Sequence, residues 1–273
     1  MENKSHELEV AILAAKEAGK VLEKYFDTEI LKEYKEDDTP VTKADREAED
    51  VIKKIIYDNF PEHSIIGEET GHTKKQESYT WHIDPLDGTR NFANGIPFFG
   101  VSIALAKDSD LIVGVVYNPV TQSLFYAEKN KGAYLNDKKI FVSKDDASHS
   151  IVTADPGKKD GEKLLRRELY RSLPAKFRSI RDLGSTAVHL SYVARGGLEA
   201  NIQLGLQTYD FAAGVLLVLE AGGKVTNHDG SPWHFPENKF IASNGIFHDL
   251  LVEELKKQKA RLNDKVGQEN LNI

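Results

Sequence analysis

Cysteine is absent from this 273-residue chain, which excludes disulfides, thiolate nucleophiles and cysteine-based zinc sites together. Also missing is any apolar run near the roughly 20 residues that a membrane span needs. The opening MENKSHELEV has no apolar signal-peptide core, so a cytoplasmic protein is expected. Nine histidines are present, but no two form an HExxH pair on one helix. Positive charge is in deficit: 36 Lys and Arg against 43 Asp and Glu leave −7, which argues against a broad nucleic-acid surface. The same deficit suits an anionic substrate only if bound cations reverse the sign locally, although an acidic surface also serves plain solubility. Internal repeats and low-complexity segments are lacking too.

What is present is ordinary for a globular chain, with 40% hydrophobic and 29% charged residues. Such a length buries a sizeable core as one large domain or two closely packed halves. Leu8, Ile12, Ala15, Gly19, Leu22 and Phe26 recur at helical spacing and predict a helix over 5–26. The polar stretch Lys35–Pro40 breaks the pattern, and a second helix is expected from Lys43 to Phe60, ended by Pro61. Short strands follow at 64–67, 79–83, 100–106, 112–117 and 123–127, with an Asn136-Asp137 turn between 133–135 and 140–142. Helices near 161–173, 185–195, 211–221 and 246–258 then alternate with apolar segments near 151–154, 199–203, 224–227 and 239–243. The order predicts a layered α/β protein with two sheets. Its parts are an N-terminal half over 1–142, a C-terminal half over 143–260 beginning in the polar SKDDASHS, and a loose tail over 261–273.

The most informative segment is Trp81-His-Ile-Asp-Pro-Leu-Asp-Gly-Thr-Arg-Asn-Phe92. Asp84 stands at the end of a strand, Pro85 is expected to stop strand pairing, and Asp87 follows in a turn. Two carboxylates three residues apart can point into one small volume, where they repel unless a cation lies between them. Hard divalent cations take oxygen ligands of this kind, backbone carbonyls such as that of Leu86 included. The Gly88 and Thr89 amides, at a helix start, offer donors to a phosphate. An Asp-rich turn of no special function is the alternative. Three further acids have equally plain explanations: Glu68-Glu69 as a solvated loop, Asp210 as the N-cap of a helix starting at Phe211, and Asp45 as a helix-start acid favoured by the dipole.

Their combination resembles the inositol monophosphatase family of metal-dependent, lithium-sensitive phosphatases. The motifs that carry the resemblance are Gly67-Glu68-Glu69, Asp84-Pro85-Leu86-Asp87-Gly88-Thr89, Tyr209-Asp210-Phe211-Ala212-Ala213-Gly214 and Glu220-Ala221-Gly222-Gly223, in family order. The resemblance implies an α-β-α-β-α sandwich, assembled as a homodimer, that uses two or three Mg²⁺ ions. It implies one ion on Glu68, Asp84 and the Leu86 carbonyl, a second on Asp84, Asp87 and Asp210, and a third beside Glu68. Asp45 and Thr89 would orient and deprotonate the attacking water. The Gly88 and Thr89 amides would bind phosphate, while Glu68, Gly184, Ser185, Thr186, Gln203 and Asp210 would line the substrate pocket. The implied partner is a small phosphorylated metabolite, with no nucleic acid and no membrane.

The ester is open. Inositol-specific members carry a glutamate seven residues before the last metal-binding Asp; this chain has Gln203, which offers hydrogen bonds without charge. Gln203 could equally be an ordinary polar loop residue. Inositol monophosphate is the first expectation. Histidinol phosphate, suggested by Arg90-Asn91-Phe92 and Thr39-Pro-Val-Thr42, fructose 1,6-bisphosphate and a nucleotide 3′,5′-bisphosphate are alternatives, as is a catalytically silent binding protein.

Overall fold

The computed structural model describes residues 4–28, 33–34, 40–41, 43–75, 78–155, 157 and 159–266. Of the sequence expectations, the Lys35–Thr39 stretch, Thr42 and the last seven tail residues lie outside them.

The chain opens with helix α1 (His6–Tyr25), started by Ser5, whose hydroxyl accepts from the Leu8 amide at 3.2 Å. Two short paired strands, β1 (Glu33–Tyr34) and β2 (Pro40–Val41), lead to α2 (Lys43–Asn59). Then come β3 (Ser64–Gly67), β4 (Gly71–Thr73), β5 (Tyr79–Asp87), the single helical turn α3 (Thr89–Phe92), β6 (Gly100–Lys107), β7 (Asp110–Asn118), β8 (Ser123–Glu128), β9 (Gly132–Leu135) and β10 (Lys138–Ile140). Strands β3 to β10 form one eight-stranded sheet in the order β10-β9-β8-β7-β6-β5-β3-β4, antiparallel except for β3 beside β5. Asn136 and Asp137 both take positive φ in the β9–β10 turn, as a tight hairpin requires.

A second, five-stranded sheet has the order β12-β11-β13-β15-β14, built from β11 (Ile151–Asp155), β12 (Ser179–Arg181), β13 (Ala200–Leu204), β14 (Lys224–Asn227) and β15 (Lys239–Ser243). Its helices are α4 (Asp160–Ser172), α5 (Thr186–Ala194), α6 (Thr208–Glu220) and α7 (His248–Val266).

Three apolar clusters hold the layers together. Leu8, Leu22, Ile52 and Ile56 of α1 and α2 pack on Trp81, Ile83, Val101 and Ile103 of the large sheet. The opposite face, with Ala104, Val116 and Phe125, meets Leu190 and Val193 of α5, Phe211 and Leu217 of α6, and Phe240 and Ala242 of the small sheet. Val152, Ile202 and Ile241 on the far face of that sheet cover Leu165 and Leu169 of α4 and Leu251 and Leu255 of α7. The result is the expected α-β-α-β-α sandwich. Because both faces of β6 are covered, it reads as a near-continuous apolar run. At Gly114 in β7 a Cβ would stand 2.8 Å from the Ala213 carbonyl oxygen of α6, so glycine sets how closely that helix approaches.

Three local expectations are corrected. Pro85 does not end its strand: β5 continues to Asp87, with a register shift between the pairs Asp84–Ser102 and Asp87–Gly100. The bulge absorbs the missing proline donor. Helix α6 begins at Thr208, so Asp210 is the third helical residue, its Oδ2 accepting from the Gln207 amide at 2.7 Å, and not the N-cap. Helix α7 extends to Val266, past the expected start of a loose tail at 261, and Leu262 is buried in the third cluster. Among the described residues no helix is long and apolar enough to cross a membrane.

Candidate active site

The bulge of β5 carries the central acids. Asp84 is buried, with Oδ1 accepting from the Leu86 amide at 2.9 Å. Burial pushes its pKa well above the usual carboxylate range, and the charges of Glu68, Asp87 and Asp210 push it further. Those three are the acids expected to share cations with it. Glu68 follows β3, the parallel neighbour of β5, and its amide continues that ladder to the Ile83 carbonyl at 3.2 Å. Tyr209 feels the same field: burial first, then the charges of Asp210, Glu68, Asp84 and Glu69, raise its pKa.

Asp87 is partly buried and engaged from the other half of the chain. Its Oδ2 accepts from the Ser185 hydroxyl and from the Ala187 amide, each at 2.6 Å. Burial nevertheless raises its pKa to about 6 against the lowering effect of those two bonds. Asp210 arrives on the first turn of α6, which two buried side chains of the large sheet anchor. His82 Nδ1 meets the Thr208 hydroxyl at 2.8 Å, and the Ser102 hydroxyl donates to the Tyr209 carbonyl at 3.0 Å.

On the opposite flank, Thr89 Oγ lies 3.0 Å from the Leu86 carbonyl oxygen and 3.3 Å from Oδ1 of Asp45, which is fully buried on α2. Gly88 joins the bulge to α3 with φ +97°. A Cβ there would stand 3.1 Å from the Phe98 carbonyl oxygen and 3.2 Å from Ser185 Cβ, so both conformation and space demand glycine.

The expected pocket loop, Gly184 to Thr186, is tied down at several points. Asn91 Nδ2 donates to the Phe98 and Leu183 carbonyls, each at 2.6 Å, which gives the Arg90-Asn91 pair a structural task. Below the loop, His189 Nδ1 meets Asp155 Oδ1 at 2.8 Å while Nε2 accepts from the Leu183 amide at 3.1 Å. Asn201 Nδ2 donates to Asp155 Oδ2 at 2.6 Å. Burial opposes the charge on both members of the pair. Their mutual attraction outweighs it, holding Asp155 below the usual carboxylate range and His189 above the usual imidazole range.

Gln203 is not on a loop. It is fully buried in β13, and its Oε1 accepts from the Leu204 amide at 2.8 Å. Its Nε2 has no hydrogen-bond partner.

The structure thus places Asp45, Glu68, Asp84, Leu86, Asp87, Gly88, Thr89, Ser185 and Asp210 in one neighbourhood, but its acids are not preset for an ion. Among the described residues no three His, Asp or Glu side chains form a ready metal-binding group. Asp84, Asp87 and Asp210 each accept from a different amide. The donor chemistry still fits a hard divalent cation, because a buried carboxylate facing three others lacks positive charge.

Residues not singled out from the sequence support the site: His82, Ser102, Asp155, His189 and Glu49. Glu49 had a signal, since an acid four residues after Asp45 recurs on the same face of α2. A cavity of about 240 Å³ beside Asp110, Lys129 and Trp233 contains none of the expected residues.

Known proteins resemble this chain along most of its length. The chain is 36% identical over 262 residues to the fructose-1,6-bisphosphatase/inositol-1-monophosphatase of Aquifex aeolicus, covering 94% of this chain and 98% of that one. It is 35% identical over 241 residues to the Nus factor SuhB of Pasteurella multocida, covering 86% and 90%. The solved Thermotoga maritima IMPase superposes with a TM-score of 0.86 at 30% identity, over 94% of this chain and 99% of the other. The inositol monophosphatase family model matches residues 3–260, and the chain belongs to that family of phosphatases.

Proposed function

We propose that the protein hydrolyses a small phosphate monoester, inositol monophosphate first among them, with Mg²⁺ held by Glu68, Asp84, Asp87, Asp210 and the Leu86 carbonyl. The observation that carries this reading is the burial of Asp84 among three other acids, which leaves a concentration of negative charge that a substrate phosphate would only worsen. Membership of a generally metal-dependent family supports it. When bound, two or three such ions would neutralise the phosphate oxygens, acidify a water molecule and stabilise the leaving alkoxide.

The chain's own contribution centres on Thr89. Its hydroxyl has one proton and two acceptors, the Leu86 carbonyl and Asp45. If the Leu86 carbonyl held a cation, the hydroxyl proton would be directed to Asp45, and Thr89 Oγ would be free to accept from a water. Asp45, buried beside it, makes Oγ a better acceptor by taking its hydrogen bond and can act as the proton acceptor in turn. The Gly88 and Thr89 amides face the phosphate at the start of α3, and Ser185 and Ala187 keep Asp87 from rotating away. No side-chain nucleophile is required, so water attacks in line.

The relative from Aquifex aeolicus carries both fructose-1,6-bisphosphatase and inositol-1-monophosphatase in its name, which supports a broad polyol-phosphate specificity. The neutral Gln203 gives no charge to a substrate amine and so disfavours histidinol phosphate. The Pasteurella relative is named as a Nus factor, which keeps a binding role beside catalysis in view. We place the protein in the cytoplasm as a lithium-inhibited homodimer. Phosphate release from inositol 1-phosphate, histidinol phosphate, fructose 1,6-bisphosphate and adenosine 3′,5′-bisphosphate, compared as kcat/KM, tests the assignment. Highest kcat/KM for inositol 1-phosphate is expected; no Mg²⁺-dependent release from any of the four would refute hydrolysis.

A further inference from the structure

Glu49 is fully buried and has no place in the chemistry above. It lies one helical turn beyond Asp45 on α2, on the face turned toward β3 and its following turn. Its Oε2 accepts from the Glu69 amide at 2.8 Å and its Oε1 from the Thr70 amide at 2.9 Å. The Thr70 hydroxyl donates a further bond to Oε1 and itself accepts from Lys53 Nζ at 2.9 Å. One carboxylate therefore gathers three donors from two consecutive residues, both immediately after Glu68. Gly67, on the other side of Glu68, lies against the same carboxylate: a Cβ there would stand 2.8 Å from Glu49 Oε1. Glu68 is bracketed, with Gly67 packed on Glu49 before it and two amides tied to Glu49 after it.

A buried carboxylate is costly unless its oxygens are satisfied, so this clamp is strong only as a complete set. The arrangement also gives a physical reason for glycine before the paired glutamates. We propose that Glu49 is a positioning residue for the metal site, locking the Gly67–Thr70 turn so that Glu68 is held toward Asp84. It rests on the reading of Glu68 as a metal ligand. Through α2, the helix that presents Asp45 to Thr89 also sets the direction of Glu68, which couples the water-orienting acid to the metal-binding one.

The test uses the full-length protein and three variants: Glu49→Gln, Thr70→Val and Glu68→Gln. Glutamine keeps the volume but turns an NH₂ group toward amide donors, so the clamp should open. Hydrogen exchange at the Glu69 and Thr70 amides should accelerate at least about tenfold, while exchange in β7 stays unchanged. Calorimetric titration of the metal-free protein with Mg²⁺ should show the dissociation constant raised about 10–100-fold, the usual scale for losing a group that orients a ligand. At saturating Mg²⁺ the KM for inositol 1-phosphate should stay within about twofold of wild type, and kcat should largely recover. Thr70→Val removes one of the three donors and should give a smaller shift of the same sign; it serves alone if Glu49→Gln does not fold.

Faster exchange at the two amides with unchanged Mg²⁺ affinity would overturn the proposal, and so would weakened affinity with the amides still protected. Glu68→Gln separates the two levels. If it binds Mg²⁺ like wild type, Glu68 is not a ligand, and the metal reading fails together with the proposal. If it binds weakly while Glu49→Gln binds normally, only the proposal fails.

Discussion

Replacing Asp87 by Asn should make the metal-free protein more stable and the enzyme nearly inactive. Burial raises the Asp87 pKa from 3.8 to about 6. A raised carboxylate pKa means that the folded state binds the proton more tightly than the unfolded chain. The ionisation penalty is therefore absent below pH 4, grows between about pH 4 and 6, and is fully present above that window. About two units correspond to roughly 3 kcal/mol, an upper bound for the penalty at pH 8. Asparagine carries no charge, and its carbonyl oxygen can stand where Oδ2 accepts from Ser185 and Ala187. Those bonds lose their charge assistance, a cost of about 1 kcal/mol. The balance leaves the variant about 1–2 kcal/mol more stable than wild type at pH 8 in chelator, or a few degrees in Tm at about 2–4 °C per kcal/mol. The advantage should vanish near pH 4. Urea titrations of both proteins in chelator at the two pH values, with phosphate release measured in Mg²⁺, test both halves. A variant less stable than wild type at pH 8 would refute the electrostatic reasoning. Wild-type turnover at ordinary Mg²⁺ would refute the assignment of Asp87.

Three other perturbations follow from the geometry. Thr89→Ala should lower kcat about 10²–10⁴-fold, the scale of a lost proton relay, with Mg²⁺ affinity by calorimetry unchanged. Gly114→Ala should destabilise the fold by about 1–3 kcal/mol in urea denaturation, because the new methyl meets backbone of α6 that cannot rotate aside. His189→Leu strands the buried Asp155 charge and should cost about 3–5 kcal/mol; adding Asp155→Asn should recover a large part of it. Equal stability of the single and double variants would show that the Asp155–His189 pair is not the coupled unit the distances describe.

The sequence disclosed what depends on short stretches. The eight residues from Asp84 to Asn91 carry their own turn chemistry, and helical spacing placed α1 and α2 within a residue of their ends. Positions fixed by distant partners were harder to read. Pro85 looked like a strand terminator because its effect on pairing is local, whereas the bulge that absorbs it depends on β6. Asp210 looked like an N-cap because Tyr209 and Thr208 are poor helix signals, whereas His82 and Ser102 of the large sheet fix that helical start. The tail looked aperiodic from Arg261 because its few apolar residues, Leu262, Val266, Leu271 and Ile273, sustain no helical spacing, yet Leu262 completes the row of Leu251 and Leu255. Asp155, His189 and Asn201 sit on three separate elements, and only the β11–β13 register together with the packing of α5 brings them together.

The same division explains why the reaction class is easier to read than the ester. The proposed metal ligands are acids at positions set by one bulge, one strand end and one helix start, so their spacing survives in the sequence. The proposed pocket wall is residues 183–185 and the start of α5, held by Asn91 on one side and by His189 with Asp155 on the other. The discriminating residue suggested by the sequence, Gln203, is buried in a strand with its carbonyl turned to its own backbone, one strand over from Asp155. Its Nε2 has no partner, as is also true of the nearby Asn201 Oδ1 and His228 Nδ1. The Gln203 Nε2 can only donate, so a substrate atom meeting it would have to accept, as a hydroxyl oxygen can and an ammonium cannot. On the proposed reading, a neutral Gln203 leaves specificity to how rigidly the 183–187 segment is held rather than to a charged contact.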